Sequence, residues 1–152
     1  WSHRLDPRRR APSRRRVILV DTSAWVEFDR ATRSPVDFTL TALITADGPI
    51  AVTEPIVMEV CAGARTPARE AQLRRLLTRF HLARFDAAAD FDAAARIYRS
   101  CRQVGVTPRG LLDCLIAAVA WRGGHELLAQ DRDLTAIASV IGVPLHPAAA
   151  AP

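Results

Sequence analysis

Residues 17–20 read VILV, a short run of apolar, mostly β-branched residues that predicts a buried strand. Similar runs recur along the chain, and each is separated from the next by a longer segment with helical character. The predicted strands are 17–20, PIAVT at 49–53, HLARF at 81–85, ELLA at 126–129 and an edge strand, VPLH, at 143–146. Strands that alternate with helices predict an α/β fold in which a parallel sheet is sandwiched between layers of helices.

Proline marks the first turn of three predicted helices, at Pro35, Pro55 and Pro67, because its missing N–H is not needed there. The predicted helices cover about 35–46, 54–64, a segment from Pro67 onward, 89–104, about 110–122 and about 132–141. The folded domain is therefore expected to span 17–147, with a short tail at 148–152.

The composition is that of a globular protein. The chain has 152 residues, of which 49% are hydrophobic, enough for one domain with a buried core. No apolar run reaches the roughly 18 residues that a membrane span needs, and we expect no secretory leader. The cysteines Cys61, Cys101 and Cys114 are odd in number and far apart, which is typical of free buried thiols in a reducing compartment. We therefore expect a cytoplasmic location.

The net charge of +5 is concentrated at one end of the chain. Residues 1–16 contain seven Arg and one Asp, so they carry +6, and the remaining residues sum to −1. The basic arm at 1–16 is able to contact RNA phosphates. It is equally compatible with an over-extended start, as the opening Trp in place of Met suggests, and we favour that interpretation.

The stretch RGLLDCLIAAVAWRGG, residues 109–124, places an aspartate inside a strongly apolar helix. A carboxylate removed from water without a partner costs several kcal/mol, so such groups pair, become protonated or bind a metal. Leu111, Leu112 and other apolar neighbours are expected to leave Asp113 little water. A structural role, with Asp113 bonded to Arg109 one turn earlier, is the ordinary alternative.

Four further acids are predicted to lie near Asp113. Asp21 follows the first strand, and Asp131 and Asp133 follow the fourth; Glu59 lies one turn into the helix after the second strand. Functional groups collect at the carboxyl ends of parallel strands, so these acids are expected to meet. Each has an ordinary interpretation alone, Asp21, Asp131 and Asp133 as helix caps and Glu59 as a solvated position. Together, several carboxylates without matching cations repel, and a hard cation resolves that repulsion.

Oxygen ligands favour Mg²⁺ or Mn²⁺ over zinc. The four histidines show no zinc-binding spacing, and the chain contains no G-x-S-x-G motif, P-loop or G-x-G-x-x-G motif. Carboxylate-held Mg²⁺ typically acts on phosphate esters, where it activates water and neutralises the leaving oxygen. The pattern indicates metal-dependent phosphodiester chemistry without a covalent nucleophile.

Four segments in order, VILVDTSAWVEF, TEPIVMEVCAGAR, LLDCLIAAVAWR and LLAQDRDL, resemble the PIN-domain ribonucleases, and more narrowly the VapC-type toxins of bacterial toxin–antitoxin pairs. The resemblance spans about 17–146. It implies a three-layer α/β/α sandwich whose acidic pocket holds one or two Mg²⁺ or Mn²⁺ ions. By motif, the resemblance implies that the principal metal-site acids are Asp21, Glu59 and Asp113, with Asp131 as the fourth, Asp133 completing the site and Ser23 supporting it.

The same resemblance implies an endoribonuclease that cleaves structured RNA, such as tRNA or rRNA, and forms a homodimer. It also implies a VapB-type antitoxin that covers the active groove with a peptide segment, in complexes that bind their own promoter through the antitoxin. The arm at 1–16 is not part of the family pattern. Because the domain is nearly neutral, RNA binding must depend on local arginines, and the candidates are Arg65, Arg69, Arg74, Arg75, Arg79 and Arg109.

Two other functions remain open from the sequence, and a third is disfavoured by it. The chain is also compatible with a PIN nuclease of RNA processing that has no dedicated antitoxin. It is compatible, too, with a non-catalytic binding module whose acids bind the arginines of a partner. A phosphotransfer domain of the receiver or haloacid type requires a suitably placed Lys, and the absence of any Lys argues against it.

Overall fold

A four-stranded parallel sheet forms the centre of the protein in the computed structural model, which describes residues 15–152. The strands are β1 (Ile18–Val20), β2 (Ile50–Val52), β3 (His81–Leu82) and β4 (Glu126–Leu128). Their order is β3-β2-β1-β4, and every neighbouring pair is parallel. The predicted parallel sheet is confirmed. The arm predicted for 1–16 lies outside the described residues, apart from Arg15 and Arg16.

Seven helices surround this sheet within the described part of the chain. They are α1 (Thr22–Asp29), α2 (Pro35–Thr45), α3 (Glu54–Ala62), α4 (Pro67–Leu77), α5 (Ala87–Gln103), α6 (Leu111–Gly123) and α7 (Arg132–Ile141). The sequence pattern predicts six of them but does not separate α1 from the first strand. Helices α2 and α4 begin at the predicted prolines, behind Ser34 and Thr66, whose hydroxyls accept from backbone N–H groups of the first turn.

The connections between strands place the helices in two layers. From β1 the chain passes through α1 and α2 to β2, and then through α3 and α4 to β3, in one direction along the sheet. Helices α5 and α6 return across the sheet to β4, and α7 packs against both of them. Right-handed crossovers in opposite directions put the two groups on opposite faces, which makes a three-layer α/β/α sandwich. Strands β1 and β2 are buried throughout, as a sheet covered on both faces requires.

The predicted edge strand at 143–146 is wrong as a strand. Only Leu145 forms a bridge, parallel to Leu127, and the chain turns away immediately afterwards through a bond from the Ala149 N–H to the His146 carbonyl. Pro144 has no N–H to extend the ladder. The end of the chain nevertheless stays at the sheet, because the Ala150 N–H donates to the carbonyl of Ala129 at 2.9 Å.

A buried ion pair joins α5 to α6. Asp90 is fully buried, and the Arg122 guanidinium donates to both of its oxygens, at 2.8 Å each. The same guanidinium donates to the Arg84 carbonyl at 2.7 Å, and the Asp86 N–H also donates to Asp90. Burial alone raises the pKa of Asp90, but these hydrogen bonds and the Arg122 charge outweigh it and lower the pKa below its ordinary value.

The three cysteines are free and buried, as predicted. Burial raises the pKa of the Cys114 thiol to about 11, with smaller contributions from Cys101 and from nearby carboxylates. A thiol in this state is unreactive at neutral pH. Within residues 15–152, no helix is long and apolar enough to cross a membrane.

Candidate active site

Asp21 lies at the carboxyl end of β1 and caps α1. Its side chain accepts from the Ser23 N–H at 3.0 Å and from the Ser23 hydroxyl at 2.6 Å, so the capping interpretation is confirmed. The residue is only 4% exposed, however, which is unusual for a cap. Burial raises the pKa of Asp21 and the charge of Asp131 adds to this, although the bonds from Ser23 and Thr22 act in the opposite direction.

Ser23 connects the two sides of the site. Its hydroxyl donates to Asp21 and accepts from the backbone N–H groups of Gln130, at 2.9 Å, and Asp131, at 3.2 Å. The β1–α1 corner is therefore held against the β4–α7 corner by one side chain. The supporting role at the site that the sequence resemblance implies for Ser23 stays a prediction.

Replacing Ser23 with Ala is expected to lower the free energy of unfolding by about 0.5–1.5 kcal/mol, because the exposed Gln130 N–H and the part-buried Asp131 N–H lose their acceptor. We also expect RNA cleavage to fall about 10–100-fold, as is typical when a supporting hydrogen bond at a metal site is lost. Chemical denaturation and a cleavage assay measure the two effects. Ser139→Ala, which removes an exposed hydroxyl bonded to the Thr135 carbonyl, is the matched control. Unchanged cleavage by Ser23→Ala would contradict the role.

Glu59 projects from the second turn of α3 and meets Thr22 from α1. The Thr22 hydroxyl donates to Glu59 Oε1 at 3.0 Å. Burial raises the pKa of Glu59, and the charges of Asp21 and Asp131 raise it further against the bond from Thr22. Glu59 is thus half-buried and oriented, so it is not the solvated helix position that its sequence context suggests. Thr22 was not predicted as a site residue, although it stands between Asp21 and Ser23.

Asp131 and Asp133 occupy the β4–α7 corner and share a cation. Asp131 caps α7 by accepting from the N–H groups of Asp133 and Leu134. The Arg109 guanidinium donates to Asp131 at 2.9 Å, and the Arg109 N–H donates to Asp133 at 3.0 Å. Arg109 therefore pairs with this corner, and the alternative in which it bonds to Asp113 is wrong. Its side chain is 73% exposed, so the pairing is solvent-screened.

Asp113 is the third residue of α6 and lies with its carboxylate toward the other acids. It is half-buried, and no side chain or backbone group of residues 15–152 donates a hydrogen bond to it. Burial raises the pKa of Asp113 to about 7, with further contributions from the charges of Asp131, Asp21, Asp133 and Glu59. The prediction that apolar neighbours leave Asp113 little water is confirmed in part, because Asp113 is half-buried. Asp21 is more buried, at 4% exposed, whereas Leu111 at the start of α6 is 58% exposed and leaves this end of the helix open.

The five predicted acids therefore share one electrostatic environment. Four of them act on the pKa of Asp113, and Asp131 acts on that of Asp21 and of Glu59. Among residues 15–152, no group of three or more His, Cys, Asp or Glu side chains is arranged so that it could hold a metal ion by itself. The site is an open acidic pocket. Such a pocket fits Mg²⁺, which keeps several of its waters and uses only one or two direct carboxylates together with substrate phosphates.

Most of the predicted RNA-binding arginines lie on or after α4, and several are already paired. Arg74 bonds to Glu70 at 2.9 Å, Arg69 pairs with Asp29, and Arg79 lies over the Phe80 ring. The two other candidates, Arg65 and Arg75, are exposed. Of all these candidates, Arg65 and Arg69 line a cavity that also contains Glu59.

The whole sheet and the acids fall within a match to the PIN domain family, over residues 18–140. The chain is 42% identical over 125 residues to ribonuclease VapC11 of Mycobacterium tuberculosis, a match that covers 82% of this chain and 93% of that protein.

Solved structures agree in fold. A DNA-bound VapBC complex from Salmonella typhimurium matches with a TM-score of 0.65 at 16% identity, covering 85% of this chain and 96% of that one. VapC20 of Mycobacterium tuberculosis, described as a toxin that cleaves the sarcin-ricin loop, matches with a TM-score of 0.56 at 21% identity, covering 78% and 93%. The chain belongs to the PIN-domain family and, within it, to the VapC ribonucleases.

Proposed function

We propose that this protein is a Mg²⁺- or Mn²⁺-dependent endoribonuclease that acts in the cytoplasm as the toxin of a toxin–antitoxin pair. The observation that carries the proposal is Asp113, a half-buried carboxylate without a hydrogen-bond donor in residues 15–152, whose pKa is raised to about 7 by burial and by four other acids. A site with this excess of negative charge is suited to a divalent cation.

Asp21, Glu59 and Asp113 would hold the ion, with Asp131 and Asp133 completing the site. A bound Mg²⁺ or Mn²⁺ supplies an activated water for in-line attack on a phosphodiester and neutralises charge on the leaving oxygen. The chain's own contribution is orientation. Ser23 fixes Asp21, Thr22 fixes Glu59, and Arg109 restrains the β4–α7 corner.

The remaining carboxylate, Asp113, has no such restraint within the described residues. We expect its oxygens to be free to meet a cation or the waters around it. Cleavage needs no covalent nucleophile at this site, because the attacking group is water. The likeness to VapC11 supports RNA as the substrate of this chemistry, and structured RNA such as tRNA or rRNA is the substrate class that we propose.

A VapB-type antitoxin is the partner that we propose. The support is that solved proteins of this fold include complexes named VapBC, as in Salmonella typhimurium. We also propose a homodimer formed through the first helices, where Phe38 on α2 is 61% exposed. Sedimentation of the purified protein tests this, and a monomer at all concentrations would contradict it.

One observation favours the binding-module alternative. Asp131 and Asp133 already bind an arginine, Arg109, so the same pocket is able to receive the arginine of a partner protein. In that case the acids need no metal. Direct measurement of metal binding separates the two functions.

Mn²⁺ binding followed by calorimetry, on the full chain at pH 8, is the experiment that tests the proposed function. We expect the wild type to bind Mn²⁺ and the Asp21→Asn/Asp113→Asn variant to lose most of the affinity, because two of the principal ligands become neutral. Asp92→Asn, which neutralises an exposed acid on α5, is the matched control and should bind like the wild type. Equal binding by all three proteins, or none, would contradict a metal site at these acids.

A further inference from the structure

A cleft opens directly beside the acidic pocket, between α1, α3 and α4. Its volume is about 390 Å³, and Thr22 and Glu59 of the acidic pocket form part of its wall. Trp25, Val60 and Leu73 supply an apolar lining. The cleft is therefore continuous with the predicted metal site, but its chemical character is different.

The charged residues of the cleft lining are three arginines and two carboxylates, Asp29 and Glu59. Arg30 and Arg65 line it and are exposed, and neither side chain forms an ion pair or hydrogen bond with any other residue in 15–152. The third arginine of the lining, Arg69, is paired with Asp29 and also bonds to Gln72. Two guanidinium groups without a partner in residues 15–152 therefore lie at a cleft whose wall includes Glu59 of the acidic pocket. Guanidinium groups in this state are suited to phosphate.

Trp25 adds a buried polar group that no protein atom satisfies. The side chain is 3% exposed and packs against the Phe28 and Phe80 rings, at centroid distances of 6.1 and 5.5 Å. Among the described residues its Nε1 is the one buried side-chain nitrogen or oxygen without a hydrogen-bond partner. An unpaired buried donor is rare in folded proteins and indicates an acceptor that is absent here, such as a ligand atom or a water.

We propose that this cleft binds one unpaired nucleotide of the RNA, next to the phosphodiester that is cut. The base enters the apolar part beside Trp25, and the adjoining phosphate lies against Arg30 and Arg65. The volume lies within the range of small-ligand sites, about 300–1,000 Å³, and is too small for a base-paired helix. Unpaired bases received by apolar and aromatic side chains are the usual basis of specific RNA recognition.

This inference rests on the proposed function and makes it more specific. The substrate class becomes RNA with an exposed, unstacked nucleotide beside the cleavage point, as in a loop or bulge. An antitoxin peptide is a different occupant of the same cleft. Arg30 and Arg65, which have no partner in residues 15–152, favour a polyanion such as RNA over a peptide. The cleft also adjoins the proposed metal site, which the backbone of an RNA substrate must reach.

The test is the binding of a short, fluorescein-labelled single-stranded oligoribonucleotide to the full chain in EDTA, measured by anisotropy. Ala64→Phe fills the cleft, and we expect it to weaken binding at least about tenfold. Ala62→Phe adds the same ring two residues earlier, at an exposed position outside the cleft, and should bind like the wild type. Binding by Ala64→Phe at the affinity of Ala62→Phe would overturn the inference.

The arginines provide a second variant that does not depend on packing. Arg30→Ala/Arg65→Ala is expected to weaken oligonucleotide binding, and the slope of affinity against salt concentration should fall by an amount that corresponds to about two neutralised phosphates. Arg99→Ala, at an exposed arginine on α5, is the control. A salt dependence equal to that of the control would overturn the role of the two arginines.

The indole N–H of Trp25 reports on the cleft without reference to catalysis. In ¹H–¹⁵N spectra, the resonance assigned with Trp25→Phe should shift on addition of the single strand, while that of the exposed Trp121 should not. A blunt RNA duplex should leave the Trp25 resonance unchanged, and an equal shift with the duplex would count against an unpaired nucleotide.

Failure of the inference and failure of the proposed function give different results. If the wild type cleaves RNA with metal, but Ala64→Phe binds the single strand normally, the cleft proposal fails and the nuclease stands. If the cleft variants lose binding while no metal supports cleavage, the nuclease fails and the nucleotide site stands. If Ala64→Phe loses only an antitoxin peptide and keeps RNA, the cleft belongs to the partner and the proposal is overturned.

Discussion

Asp113→Asn is expected to reduce RNA cleavage on the order of 10³-fold, to background, while leaving the fold intact. The substitution keeps the shape of the side chain but removes the charge that a divalent cation and its waters would meet. A loss of this size is typical when one preorganised electrostatic contact to the transition state is removed. Cleavage of a defined RNA under single-turnover conditions measures it, with circular dichroism as the check on folding.

The same variant is expected to be more stable than the wild type when no metal is present. The pKa of Asp113 in the folded protein is about 7, against an ordinary value of 3.8, so the folded state holds a proton that the unfolded state releases. The free energy of unfolding of the wild type therefore falls as pH rises from about 4 to 7, because over this range Asp113 loses its proton more readily in the unfolded state. After allowance for solvent screening, the free energy of unfolding of Asp113→Asn should exceed that of the wild type by about 1–2 kcal/mol at pH 8 and by almost nothing at pH 4.

Urea unfolding of both proteins in EDTA at the two pH values measures this difference. Asp92→Asn, which removes an exposed carboxylate on α5, is the control for the loss of one negative charge. Marked unfolding of Asp113→Asn would instead mean that Asp113 has a structural role in α6, which contradicts the account of the site.

Arg122→Met is expected to lower the free energy of unfolding by about 2–4 kcal/mol. Asp90 is fully buried, and without Arg122 its charge has only the Asp86 N–H as a hydrogen-bond donor within the described residues. Breaking a buried pair by removing one partner typically costs about 3–5 kcal/mol, and the 37% exposure of the Arg122 side chain reduces the expected effect.

The pH dependence of this loss has a definite sign. Arg122 helps to hold the pKa of Asp90 below its ordinary value of 3.8, so the stabilisation is present above that value and is lost as pH falls through the lower pKa of the folded protein. The difference between wild type and Arg122→Met should therefore shrink in acid. Urea denaturation measures it, with the exposed Arg96→Met on α5 as a control expected within about 0.5 kcal/mol. A difference that grew in acid would contradict the assignment of the pair.

The sheet was predictable because β1, β2 and β4 are short, largely buried apolar runs between strong helix start signals, although β3 is exposed. The VILV run at 17–20 and prolines such as Pro35 and Pro67 are local features, and the structure follows them closely. The prediction of a strand at 143–146 was wrong for a reason that is not local in sequence. An apolar run forms a strand only where a free sheet edge and enough backbone donors are available, and Pro144 with the turn after His146 leaves only one bridge.

The identity of the site residues was easier to predict than their partners. Parallel topology alone brings the residues after β1 and β4 together, which explains why Asp21 and Asp131 were expected at one place. Which side chains form a contact depends on their lengths and their rotamers. Arg109 is one turn from Asp113 along the chain, yet it bonds across to Asp131 and Asp133.

The burial of individual acids, likewise, could not be predicted from the residues next to them in the sequence. Asp113 stands among leucines, but Leu111 points toward solvent at the open end of α6, whereas Asp21 is enclosed where two corners meet. Asp90 and Arg122 are 32 positions apart and gave no signal of their pairing. Contacts of this kind arise only when the helix layers are assembled.

Cleavage of total cellular RNA by the purified protein, in Mn²⁺ and in EDTA, tests the central claim most directly. The account predicts discrete fragments with Mn²⁺ or Mg²⁺ that disappear with the chelator, and the mapped ends of those fragments would identify the target. Folded protein, free of antitoxin, that cuts no RNA with either metal would contradict a metal-dependent ribonuclease and favour a module that binds arginine.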